Sequence, residues 1–73
     1  MHAVKVLQTI LTREHLAPPQ VSRVIGKPRT FVGTIFSTER MPQVQTVVTI
    51  LDACGYDLIA RNRDDGSEYV IEQ

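Results

Sequence analysis

The sequence has one cysteine and no tryptophan, and its aromatic residues are two Phe and two Tyr. A single Cys excludes an intramolecular disulfide and a cysteine-rich zinc site. The apolar runs are far shorter than the roughly 18 residues that a transmembrane helix needs, and no segment resembles a signal peptide. We therefore expect a cytoplasmic protein with an aliphatic core and no membrane association.

The residue groupings that carry catalysis are also missing from the sequence. It has no Ser, His and Asp set, no paired carboxylates and no Gly-rich phosphate loop. His2 and His15 have no partner at metal-ligand spacing, and Cys54 falls on an apolar helical stripe, which is typical of a small core residue. These absences predict a protein that is not an enzyme and binds no cofactor or metal.

The net charge of zero conceals an uneven distribution along the chain. All eight Lys and Arg residues lie within residues 1–63 with four of the eight acids, whereas residues 64–73 carry the other four acids and no base. The body is therefore basic, at +4, and the C-terminal segment acidic, at −4. Charge segregated in this way is compatible with nucleic-acid binding.

A chain of 73 residues is one domain near the lower size limit for a self-sufficient core, and it would gain from burial against a second subunit. Helical apolar spacing predicts a first helix over residues 3–14, with an inward stripe of Ala3, Val6, Leu7, Ile10 and Leu11. The same spacing predicts another helix from Pro42 or Gln43 to Cys54, with an inward stripe of Val44, Val47, Val48, Ile50, Leu51 and Cys54.

Residues 18–36 contain two shorter apolar patterns on either side of a glycine. Each pattern has apolar residues at i, i+3 and i+4, namely Val21, Val24 and Ile25, then Val32, Ile35 and Phe36. Gly26 supplies a left-handed stop for the first helix, and Pro28 is tolerated in the first turn of the next. We predict two short helices, the second at about residues 28–36, joined as a helix-turn-helix.

The predicted open face of the second helix carries cationic and small hydrogen-bonding groups. Such a face suits close approach to polyanionic DNA and reading of its base edges. We assign base reading to Arg29, Thr30, Gly33 and Thr34, and phosphate contacts to Arg13, Arg23, Lys27, Ser37 and Arg40. Phe31 either packs against the neighbouring helix or contacts a sugar or a thymine methyl group.

These features resemble the lambda-repressor-like (Cro/C1, XRE) helix-turn-helix family. The shared pattern over residues 4–56 is Val21-Ser22 before Gly26, Arg29-Thr30, Val32 with Ile35, and Pro42 leading to Ala53-Cys54-Gly55. Departures are Ala17-Pro18 in place of a polar cap and Gln, Ser37-Thr38 in place of a Gly, and Ser22 where Ala is commonest.

The resemblance implies a mainly α, four-helix DNA-binding domain over residues 1–55. It would serve as a transcriptional repressor, which could regulate its own gene, in a bacterial, phage or plasmid setting. A homodimer on a palindromic operator is expected, because one recognition helix reads only a few base pairs.

Beyond Gly55 the apolar period changes from 3.6 to 2, which predicts a β-hairpin within residues 56–73. A two-residue loop at Asp65-Gly66 would pair Arg63 with Glu68, Asn62 with Tyr69 and Ala60 with Ile71. We assign dimerisation to this element, through Tyr56, Leu58, Ala60, Tyr69 and Ile71. Its apolar face could instead pack on the helices of its own chain. Antitoxin-type members of the family, HipB among them, pair such a strand across the dimer, and residues 51–63 resemble that segment.

A second hypothesis belongs to a different class of protein. The chain could be chiefly a protein-binding module, an antitoxin or anti-repressor, whose acidic C-terminal element captures a basic partner such as a toxin or a repressor.

Overall fold

The computed structural model describes residues 2–38 and 40–72, so Met1, Gln73 and Glu39 of the predicted connector lie outside the described residues. Within these ranges four helices precede two antiparallel strands: α1 (Ala3–Arg13), α2 (Pro18–Val24), α3 (Phe31–Ser37), α4 (Val44–Ala53), β1 (Leu58–Arg61) and β2 (Glu68–Ile71). The predicted mainly α architecture with a C-terminal hairpin is confirmed. Within the described ranges, no helix has both the length and the apolar composition needed to cross a bilayer.

One aliphatic core joins the four helices. Its centre is formed by Leu7, Leu11, Val21, Val32, Val47, Ile50 and Leu51. α2 packs against α3, α1 against α3 and α4, and β1 reaches the side of α4. Val32 at the centre of this core is fully buried, which fixes the inward face of α3 and leaves its opposite face to solvent.

Three of the helices end in the same left-handed turn. After α2 and α4 this turn is made by Gly26 and Gly55, with φ of 74° and 83°, as the sequence predicts. After α1 the same position is taken by His15, with φ of 56°. In each case the next N–H donates to a carbonyl five residues earlier, at 2.9 Å, which satisfies a carbonyl at the helix end.

The predicted apolar patterns of α2 and α4 each include one valine that is exposed, so the inward stripe predicted for α4 is wrong at Val44. Val24 is 71% exposed, because burial of Val21 and Ser22 turns the inward face of α2 away from it. Val44 is 60% exposed although it lies on the apolar side of α4, because it is the first residue of that helix and extends beyond the core. On α1 the buried residues include Val4, which the predicted inward stripe omits.

The hairpin register differs from the predicted one by two residues. Leu58 pairs with Ile71, Ile59 with Val70, Ala60 with Tyr69 and Arg61 with Glu68, so Arg63 does not face Glu68. A shift of two preserves the alternation of faces, and Leu58, Ala60, Tyr69 and Ile71 still share one side.

The loop that sets this register is longer than the predicted two residues. The Asn62 side chain accepts hydrogen bonds from the N–H groups of Asp64 and Asp65, and the Asn62 carbonyl accepts from Gly66 at 2.9 Å. Asp65 Oδ1 accepts from both the N–H and the hydroxyl of Ser67, and these bonds hold the pKa of the Asp65 carboxyl below its usual value. Side-chain hydrogen bonding to the loop backbone therefore overrides the Asp-Gly signal.

The left-handed residue after α1 gives a testable prediction for stability. Replacing His15 by Gly removes the steric penalty of a Cβ at positive φ and should raise the free energy of unfolding by about 1 kcal/mol. Chemical denaturation measures the difference. The matched control is Gly55→Ala, which introduces that penalty at the equivalent turn and should lower the stability. A loss of stability in His15→Gly would contradict this explanation.

Candidate nucleic-acid interface

The helix α3 begins three residues later than the sequence predicts. It starts at Phe31, and Arg29 and Thr30 lie in the turn before it rather than on the helix. The Phe31 N–H donates to the Pro28 carbonyl at 2.9 Å, which closes a tight turn. The Val32 N–H, which a helix beginning at Pro28 would direct to the same carbonyl, donates instead to the Ser22 hydroxyl at 3.0 Å.

The hydroxyl of Ser22 joins the two helices of the predicted motif. Ser22 is 0% exposed, and its Oγ donates to the Pro18 carbonyl at 3.0 Å while accepting the Val32 N–H. This hydroxyl satisfies one of the free N–H groups in the first turn of α3. Ser22 thereby sets where α3 begins and how it sits against α2.

An open groove runs between the start of α2 and the exposed side of α3. It is lined by Pro18, Pro19, Arg29, Thr30, Gly33, Thr34 and Ser37. All four predicted base-reading residues are therefore brought together, and Ser37 joins them. None of the lining residues, all of them described, is acidic. Pro18 and Pro19 were not predicted as part of this site; the signal that could have found them is the packing of α2 on α3 that a helix-turn-helix requires.

Gly33 lies in the middle of α3, and no close packing among the described residues requires its missing side chain. A Cβ added there would meet no described atom within 4 Å, apart from its two neighbours in the chain and the local helix backbone. Its backbone conformation is helical, so no left-handed turn requires a glycine. An interior helical glycine is less stable than alanine by about 1 kcal/mol. Gly33 therefore lowers the stability of α3, and it is also the groove position that has no side chain.

The predicted phosphate-contacting residues are dispersed. The Lys27 ammonium lies 5.4 Å from the centroid of the Phe31 ring, on the side of α3 that faces the start of α4. The Phe31 ring itself is partly buried against the core, which favours the packing alternative over direct contact with a nucleotide. Arg13 on α1 lies 3.9 Å from a Glu14 carboxylate oxygen, and Arg23 and Arg40 are exposed outside the groove.

The predicted dimerisation residues fall into two groups. Tyr56, Leu58 and Ile71 are half-buried, and the first two pack against the core. The Tyr56 hydroxyl donates to Glu14 Oε2 at 2.8 Å, and this hydrogen bond raises the pKa of the Tyr56 phenol. Ala60 and Tyr69 are exposed. The hairpin thus packs on its own helices at the end nearer α4, while its other end faces solvent.

Cys54 is half-buried beside the core and behaves as a packing residue. Burial raises the pKa of its thiol, and the nearby Glu14 carboxylate acts in the same direction. Both effects keep the sulfur protonated and therefore weakly nucleophilic.

Comparison of the chain with known protein families, curated proteins and solved structures finds no match. The functional assignment therefore depends on the geometry and chemistry of the groove.

The buried Ser22 hydroxyl gives a prediction for the stability of the helix pair. Ser22→Ala leaves the buried Val32 N–H without its acceptor and should lower the free energy of unfolding by about 1–3 kcal/mol. The matched control is Ser37→Ala, because that hydroxyl is exposed and, among the described residues, donates to the Thr34 carbonyl within α3, at 3.1 Å. Its removal should change stability by less than about 0.5 kcal/mol. Equal effects of the two substitutions in denaturant titrations would show that the Ser22 bond contributes nothing specific.

Proposed function

We propose that this chain is a helix-turn-helix DNA-binding regulator that acts as a homodimer on a palindromic operator. α2 and α3 form the helix-turn-helix, and α3 with the turn before it enters the major groove. This proposal is supported by the pairing of α2 with α3 around the Gly26 corner and by the groove in which the base-reading candidates meet. The resemblance to lambda-repressor-like proteins favours the same function.

The observation that carries the proposal is the unfilled position at Gly33. A helix that must lie against a groove wall benefits from an absent side chain at its closest point of approach. Gly33 is surrounded by Arg29, Thr30 and Thr34, whose side chains can donate or accept hydrogen bonds. A DNA ligand would account for a glycine that lowers the helix stability of α3. No contact among the described residues accounts for it.

The groups around Gly33 suit different parts of base recognition. The Arg29 guanidinium can form two parallel hydrogen bonds to O6 and N7 of guanine, the commonest specific contact in the major groove. Thr30 and Thr34 offer hydroxyls for base edges and methyl groups for thymine. Arg40 is exposed on the connector after α3, which suits a backbone phosphate contact that fixes position without reading sequence.

Gly33→Ala tests the proposal because two effects of opposite sign are expected. The substitution should raise the free energy of unfolding by about 0.5–1 kcal/mol, because alanine is the better helix former and space is available. It should also weaken binding to duplexes that the wild-type protein selects from a random pool, because the new methyl group holds α3 away from the groove. Denaturation and fluorescence anisotropy measure the two effects.

The control for Gly33→Ala is Thr12→Ala on α1. Its hydroxyl is exposed and donates to the Gln8 carbonyl at 3.0 Å, so the substitution also favours helix without altering the groove. Thr12→Ala should leave DNA binding unchanged. If Gly33→Ala also binds selected DNA as the wild type does, the groove is not the DNA surface. A chain that serves chiefly to capture a basic protein through its hairpin would instead select no duplex from the random pool.

Two arginines should contribute to binding in distinguishable ways. Arg29→Ala should reduce the preference for selected over random duplexes by about 1–3 kcal/mol, because it removes a base contact. Arg40→Ala should weaken binding to both duplexes equally and lower the slope of log K against log salt by about 1. Titrations of each variant on both duplexes at several salt concentrations separate these outcomes. Identical losses for the two variants on both duplexes would contradict the division of roles.

A further inference from the structure

Within the part of the chain that the structure describes, the hairpin of β1 and β2 is a two-stranded sheet, so neither of its edges has a further partner strand. Two-stranded sheets are marginal in water, and free strand edges attract further strands. At the middle of the hairpin, Ile59 and Val70 lie opposite each other and are 42% and 53% exposed. The middle of the hairpin therefore combines exposed apolar side chains with strand edges that have no further strand among the described residues.

The hydrogen-bond pattern shows which residues direct their backbone groups outward. The Asn62 N–H donates to the Ser67 carbonyl at 2.8 Å, so that pair is hydrogen-bonded. Hydrogen-bonded pairs alternate along an antiparallel ladder, so Ile59 and Arg61 direct their N–H and C=O groups toward the free edge of β1. By the same rule Glu68 and Val70 face the free edge of β2.

The two strand edges differ in the charges that pairing with the same edge of a second copy would bring opposite each other. The β1 edge has Asp57 two residues before Ile59 and Arg61 two residues after it. An antiparallel copy centred on Ile59 would place Asp57 opposite Arg61 twice, which is stabilising. The β2 edge is centred on Val70, with acidic residues, Glu68 and Glu72, on both sides. The same operation there would place carboxylate opposite carboxylate twice, which is destabilising.

We propose that a second copy of this chain docks on the free edge of β1, antiparallel and with Ile59 opposite Ile59. The product is a four-stranded sheet in which β1 of each copy is central. In this register the outward backbone groups of Ile59 face their counterparts in the second copy, and those of Arg61 face Asp57. One face then carries an apolar row across the sheet, formed by Val70 and Ile59 of both copies.

This inference rests on the proposed function, whose homodimer it refines. It assigns the contact to Asp57, Ile59 and Arg61 rather than to the face that carries Ala60 and Tyr69. A contact of about five residues per copy is small for a stable interface, so the dimer should dissociate on dilution. Two linked DNA half-sites would strengthen it, because binding of the second subunit becomes intramolecular.

Complementary charge reversals test both the edge and the register. A homodimer of Asp57→Arg would place two arginine side chains opposite each other at both cross-strand pairs, and a homodimer of Arg61→Asp would place two carboxylates there. Each variant alone should be monomeric in sedimentation experiments under conditions where the wild-type chain dimerises. An equimolar mixture of the two should recover the dimer, because both cross-strand pairs then carry opposite charges.

The control mixture contains Asp64→Arg and Arg63→Asp, which make the same changes of charge in the loop of the hairpin. Each of these variants should dimerise alone as the wild type does. If the edge variants remain dimeric alone, or if their mixture stays monomeric while each retains its hairpin by NMR, the proposed register is wrong. A wild-type chain that stays monomeric throughout a concentration series would also overturn the inference.

A second pair of variants addresses the edge without changing charge. Ile59→Pro removes an N–H that faces the β1 edge, and Val70→Pro removes the equivalent group on the β2 edge; neither N–H belongs to the hairpin ladder. Ile59→Pro should abolish the dimer and Val70→Pro should retain it, and the reverse result would move the interface to β2.

These measurements of the oligomeric state use no DNA. Binding of a single half-site, titrated separately, therefore distinguishes failure of this interface from failure of the proposed function.

Discussion

The position of α3 depends on one buried hydroxyl group. Ser22 accepts the Val32 N–H and donates to the Pro18 carbonyl, so a single side chain joins the start of α2 to the start of α3. An unsatisfied buried N–H is costly, so this bond defines a preferred arrangement of the two helices. The groove beside Gly33 exists because the helices are held at that spacing.

Local chemistry made several parts of the fold predictable. Gly26 and Gly55 end their helices where expected, because a left-handed turn favours glycine whatever surrounds it. The start of α3 could not be read in this way, since it is set by a hydrogen bond between residues ten positions apart. The hairpin register also escaped prediction, because the Asn62 and Asp65 side chains bind the loop backbone and outweigh the preference of Asp-Gly for a two-residue turn.

The candidate site was predictable in composition but not in detail. Gly33 and Thr34 lie on the side of α3 away from the buried Val32, and Arg29 and Thr30 reach the same groove from the turn before that helix. Long cationic side chains are harder to place, since rotamers and local partners decide where the charge lies. Lys27 is found over the Phe31 ring for this reason, although it belongs to the same stretch of sequence as Arg29.

The acidic hairpin has a consequence for long-range electrostatics. Residues 1–55 carry six bases and three acids, whereas residues 56–73 carry two bases and five acids. The protein is therefore an electric dipole without net charge. A dipole experiences torque in the field of a polyanion before it experiences net attraction, and screening limits both to about 10 Å at 0.1 M salt. Near a charged polymer, such a molecule would be turned with its helical body forward before any contact forms.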